Sequence, residues 1–139
     1  MMKVEKGFTL MEILITMIIV AMLASVLLSR YYGQQERAIV AEAVTNLSAI
    51  RQNEVNYYLE NSAYLDMDTT VSGDDTKWAT IGLDKPDTSN FNYKCVSGVS
   101  TATRSGGGTC LSTSTHYGNC TVTLAVDGSW GGDHPYKPA

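Results

Sequence analysis

Glu12 stands in the run Phe8 to Leu28, Phe-Thr-Leu-Met-Glu-Ile-Leu-Ile-Thr-Met-Ile-Ile-Val-Ala-Met-Leu-Ala-Ser-Val-Leu-Leu, as the one charged side chain among 21 residues. At about 1.5 Å per residue, a helix of that length covers roughly 31 Å, the thickness of a bilayer core. An ionised carboxylate among lipid tails costs about 2.5–3.5 kcal/mol even on a lenient insertion scale, which makes Glu12 a functional candidate. Such a charge is tolerated in a water-poor helix bundle when an opposite charge meets it. Losing one partner then strands the other at a cost of about 3–5 kcal/mol.

The other reactive groups do not assemble into a catalytic set. Cys110 and His116 offer a thiol and a base, but three cysteines, Cys95, Cys110 and Cys120, all follow the apolar run and point to oxidised or structural roles. His116 and His134 each sit in a glycine-bearing loop without the spacing of a metal pair. Asp66, Asp68, Asp74, Asp75, Asp84 and Asp87 are scattered in no EF-hand pattern and read as a solvated acidic loop. Gly106-Gly107-Gly108 lacks the lysine and the following helix of a phosphate loop. No metal set, cofactor motif or enzymatic activity is expected. The loop and tail aromatics Tyr117, Trp130 and Tyr136 are the exposed candidates for a stacking surface. A net charge of −4, from 10 basic and 14 acidic side chains, argues against a general grip on nucleic acid.

Gly7-Phe8-Thr9-Leu10-Met11-Glu12, behind a short leader bearing Lys3 and Lys6 and ahead of the apolar run, resembles the prepilin signature of type IV pilins and of type II secretion pseudopilins. The resemblance implies that a membrane-embedded prepilin peptidase cuts between Gly7 and Phe8 and methylates the new Phe8 amine. It also implies that Glu12 meets the Phe8 amine of a neighbouring subunit in a homo-oligomeric filament. The implied partners are minor pilins, an assembly ATPase, an inner-membrane platform protein and, before assembly, inner-membrane lipid. The expected role is a structural subunit of a type IV pilus serving motility, adhesion or DNA uptake. The alternatives are a pseudopilin of a type II secretion system and an anchored extracytoplasmic binding module that never polymerises. Asp127 to Asp133 gives no convincing counterpart to the calcium-binding terminal loop of major pseudopilins, which tilts the expectation toward a pilus. Where that family usually carries proline, this chain has Ser29, so a kink cause is missing and a backbone donor is kept.

These residues need a long helix and a small domain to carry them. The expected organisation is a leader over 1–7, a membrane or filament-core helix half over 8–28, an amphipathic helix half over 29–61, and a globular region of loops and antiparallel sheet over 62–139. Losing the leader leaves 132 residues with a formal charge of −5. Lys3 and Lys6 place the amino end in the cytoplasm, so the remainder faces an extracytoplasmic, oxidising space where a disulfide persists. Val40, Ala43, Val44, Leu47, Val55 and Tyr58 form one helical stripe, with Glu36, Arg37, Asn46 and Gln52 mostly off it. Arg51 and Glu54, three residues apart at its edge, are read as a pair.

Residues 62–90 read as loop, pinned by Trp78, Ile81 and Leu83. Phe91 to Ser97 alternates, Ser97-Gly98 offers a turn into Val99 to Arg104, and Thr121 to Val126 alternates again before the Asp127-Gly128 turn and a short piece at Ser129-Trp130. Three or four antiparallel strands result. Their apolar side and the helical stripe must bury each other, giving an α+β, pilin-like fold with a long amino-terminal helix on a small antiparallel sheet. Of the three cysteine pairings, Cys110 with Cys120 is favoured because it staples the glycine-containing loop, at roughly 2–3 kcal/mol in the chain-entropy model. A Cys95 to Cys120 bond is the rival.

Overall fold

The computed structural model describes residues 8–107, 110 and 117–139, with the side chains of residues 29, 30 and 32 left aside. The leader with Gly7, and also Gly108 and His116, lie outside the described residues. The chain forms two units, one running through Gln35 and one from Glu36 to Ala139. Helix α1, Leu10–Asn61, contributes to both. It passes Ser29 and Gly33 without interruption, as expected of a stretch rich in good helix formers and free of proline.

In the first unit, between Leu10 and Leu28, the helix is apolar on every side apart from Glu12, Thr16 and Ser25. Its most apolar 18-residue window has a mean hydropathy of 2.5, and none of it is buried. Leu10 is 93% exposed, and Ile13, Ile18 and Val26 are also open. A helix apolar all round requires lipid or other helices about it.

In the second unit the helix becomes one-sided. Val40, Ala43, Leu47 and Ile50 are buried at helical spacing, with Val44 and Val55 half-buried beside them. Tyr58, placed on the stripe by spacing, is instead 42% exposed and stacks on Tyr64 at 4.5 Å between ring centroids. The sheet that receives this stripe has five antiparallel strands in sequential order: β1 Met67–Asp68, β2 Phe91–Val96, β3 Val99–Arg104, β4 Thr121–Leu124 and β5 Trp130–Gly131. Alternation sends Phe91, Tyr93 and Cys95 of β2, Ser100 and Ala102 of β3, and Val122 and Leu124 of β4 to the buried side. Each large apolar side chain so buried contributes about 1.5–3 kcal/mol relative to exposure.

The β2–β3 register runs from Phe91 opposite Arg104 to Val96 opposite Val99. Ser97 and Gly98, at φ 49° and 78°, close it as the left-handed pair that a two-residue hairpin needs.

Residues 62–90, expected as loop, hold more regular structure than their spacing predicts. They contain β1 and a short helix α2, Asp75–Thr80, which brings Trp78 into the core, with Ile81 buried after it and Leu83 half-buried. Five strands therefore replace the three or four expected. Two-residue strands leave no period to detect, and β1 exists because β2 offers it a ladder.

Candidate functional site

The amino-terminal site begins just ahead of α1. Phe8 is 77% exposed and outside the helix. Thr9 caps the helix: the Glu12 amide donates to Thr9 Oγ1 at 3.3 Å and to its carbonyl at 3.1 Å, and the Ile13 amide donates to the same carbonyl at 3.3 Å. Thr9 thus absorbs first-turn donors that would otherwise be left unpaired. Glu12 lies in that first turn, where the helix dipole favours negative charge. Its carboxylate has no partner among the described residues. The exposed apolar surface around it continues through Leu28.

The second chemical feature lies in the globular unit, where spacing placed Glu36 off the buried face. Glu36 is in fact 5% exposed. Arg104, from the end of β3, donates through Nε to Glu36 Oε1 at 3.0 Å and through Nη2 to Oε2 at 3.4 Å, while its Nη1 reaches the Asn90 carbonyl at 2.8 Å. His134 is also buried. The Tyr136 amide donates to its Nδ1 at 3.2 Å, which assigns the ring proton to Nε2, and Nε2 donates to Glu36 Oε1 at 3.1 Å. The carboxylate is fully engaged, so this set knots α1, β3 and the carboxyl-terminal segment together. It offers no free base or nucleophile.

Tyr117, Trp130 and Tyr136 are not the exposed platform that the sequence suggested, since all three are half-buried. Tyr117 stacks on His134 at 5.5 Å, its hydroxyl lies 3.4 Å from that of Tyr136, and Arg37 sits over the Tyr136 ring at 5.0 Å. The shared hydroxyl contact, reinforced by burial, pushes the Tyr117 phenol up to about 12. Trp130 packs against the core cluster.

Arg51 and Glu54 do not pair with each other. Arg51 Nε donates to the Val126 carbonyl at 3.0 Å, whereas Glu54 Oε2 accepts from the Leu65 amide at 3.1 Å, which ties the helix to the chain returning from it. Glu54 is fully buried and its Oε1 meets no donor. Burial is the main cause that raises its carboxyl, against the Leu65 bond that lowers it. Cys110 and Cys120 are joined as a disulfide, their Cα atoms 4.8 Å apart. Cys95 is free and buried, and burial pushes its thiol up to about 11, in the direction of inertness. Among the described residues, no three His, Cys, Asp or Glu side chains are placed to hold a metal ion.

Comparison with known proteins bears on the amino-terminal site. A family model described as the prokaryotic N-terminal methylation motif matches residues 2–28. The type II secretion system core protein G of Vibrio cholerae serotype O1 is 35% identical over 63 residues, covering 45% of this chain and 43% of the relative. Its namesake from Dickeya chrysanthemi is 35% identical over 60 residues, covering 43% of this chain and 39% of the relative. That of Escherichia coli K12 is 33% identical over 60 residues, covering 43% and 41%. Each match spans less than half of the relative's length.

Proposed function

We propose, from the premise that this chain carries the amino-terminal stretch of the type IV pilin and pseudopilin family, that it is a structural filament subunit cut between Gly7 and Phe8. The observation that carries this reading is Glu12, a carboxylate without a partner among the described residues, in the first turn of a helix whose apolar surface from Leu10 to Leu28 is uncovered. Before assembly, the segment from Phe8 to Leu28 crosses the inner membrane, with the sheet-bearing unit on the extracytoplasmic side. A prepilin peptidase removes the leader and methylates the Phe8 amine. An assembly ATPase and a platform protein then extract the subunit, and minor pilins join it in the filament.

Extraction requires the lipid around the apolar helix to be replaced by neighbouring helices. In that dry bundle, Glu12 of one copy pairs with the Phe8 amine of another, which sets the register because a mismatched subunit strands a charge. The role is structural rather than catalytic. Disulfide-joined Cys110 and Cys120 suit an oxidising compartment.

The filament is a pilus or a type II secretion pseudopilus. The names of the relatives favour the pseudopilus at least as strongly as the terminal segment Asp127 to Asp133, without a calcium-loop counterpart, favours the pilus. Deleting the gene separates the two, since loss of surface filaments marks a pilus and loss of exported proteins marks a pseudopilus.

Glu12→Ala tests polymerisation itself. Its yield in sheared filaments should fall at least tenfold while the membrane pool stays cut at Phe8, because one stranded amine costs about 3 kcal/mol or more. Undiminished incorporation would remove the register role, and a chain never found in filaments would favour the anchored binding module.

A further inference from the structure

We infer that the globular units of neighbouring copies meet head to tail, with Arg51 of one copy receiving the acidic edge formed by Glu60 and Asp84 of the next. This rests on the filament reading above and names a contact within it.

A groove of about 630 Å³ runs between α1 and the β4–β5 hairpin, lined by Ser48, Arg51, Gln52, Asn56, Gly128 and Trp130 among others. Arg51 is fixed in it. Its Nε is held by the Val126 carbonyl at 3.0 Å, and its guanidinium lies over Gly128, where an added Cβ would come within 3.5 Å of Nη2. Neither Nη group meets an acceptor among the described residues. Asp127, on the same turn, feels the Arg51 charge but accepts from the Ser129 amide at 2.8 Å and hydroxyl at 2.6 Å. Gln52 and Asn56, which line the same groove, also have side-chain amides without a partner among the described residues. A preorganised guanidinium fork with free donors is a carboxylate receptor.

The matching carboxylates are on the same unit. A second groove, of about 220 Å³, lies on the α2 side of α1 and is lined by Asn53, Asn56, Tyr57, Glu60, Ile81 and Gly82 among others. Asn56 lines both grooves, so the two faces adjoin along one helix. Glu60 is exposed at the rim, and Asp84, also exposed, follows two residues after Gly82. Among the described residues of the globular unit, these are the two carboxylate side chains with neither an ion pair nor a hydrogen bond. Asp68, Asp74 and Asp75 face lysines, Glu36 faces Arg104, and the others accept from amides or hydroxyls. Arg37 is spent on the Tyr136 ring.

Arg51 on one face and Glu60 and Asp84 on the adjoining face form no ion pair within one copy among the described residues. They can form one between copies. Because the two faces differ, the contact is heterologous and propagates as an open chain, which is what a filament requires. In a chain of formal charge −5 once the leader is lost, it also gives mutually repelling heads a specific attraction.

The test uses the full chain assembled in cells. Co-expressing Gln52→Cys chains with Asp84→Cys chains, followed by a short bis-maleimide on sheared filaments, should give a linked dimer that neither variant gives alone. Separately, Glu60→Lys with Asp84→Lys should cut filament yield roughly tenfold, and adding Arg51→Glu should restore it. Filaments of Phe8-cut chains without the linked dimer would overturn the contact and leave the filament reading standing. A linked product of a mass other than a dimer of this chain would overturn the contact as well. Failure to cut at Phe8 and to form filaments would overturn both.

Discussion

Glu54 and Glu36 show two ways for this chain to bury a carboxylate. Glu36 is met by Arg104 and His134, so its charge is matched and its oxygens are occupied. Glu54 has only the Leu65 amide, and its second oxygen is unpaired. Burial therefore holds the Glu54 carboxyl above its ordinary value, with the nearby Asp66 charge adding to the shift. In the unfolded chain the group ionises at lower pH. Between the two values the folded form holds the extra proton, so stability falls as pH rises through that window.

Glu54→Gln keeps an acceptor for the Leu65 amide and removes the charge. It should raise stability at neutral pH by roughly 1 kcal/mol and flatten that part of the pH dependence, as thermal unfolding in detergent across pH 4–8 would show. A variant less stable than the parent at pH 7 would contradict this account. Neither burial was legible from spacing, because a carboxylate off or at the edge of an apolar stripe reads as solvated. The Glu36 partners lie 68 and 98 residues away. The surroundings of Glu12, a carboxylate in an exposed apolar stretch, were legible because adjacent residues alone define them.

At the scale of elements, local patterns were readable where they repeat. The β2 alternation, the Ser97-Gly98 turn and the β3 boundaries follow directly from the sequence. The turn is also a packing point. Gly98 is buried at φ 78°, and a Cβ there would lie 2.8 Å from Val126 Cγ1 and 3.1 Å from the Tyr64 ring. Gly98→Ala should therefore destabilise the globular unit by about 2 kcal/mol, combining left-handed strain with overpacking. Unchanged urea unfolding of this variant would mean that the hairpin does not hold Val126 and Tyr64 together. What spacing missed were β1 and α2, whose few residues form structure only because β2 pairs with one and the core accepts Trp78 from the other. The Arg51 to Glu54 pair was misread for a related reason. Neighbours three apart on a helix are within reach, but Val126 and Leu65 offered closer, better-shielded partners.

Across the whole molecule, the composition divides the work. An uncovered apolar stretch with one carboxylate leads the chain, and a sheet closes over the later half of α1; in the filament reading proposed above, the first would serve association and the second display. In the filament reading, the chain becomes a subunit through processing at Gly7 and Phe8. Intact mass and amino-terminal sequencing of protein recovered from membranes and from sheared surface or pseudopilus material test it most directly. A terminus at methylated Phe8 is expected in the filament fraction, with the seven leader residues absent. An uncut Met1 terminus, found in membranes alone, would contradict it.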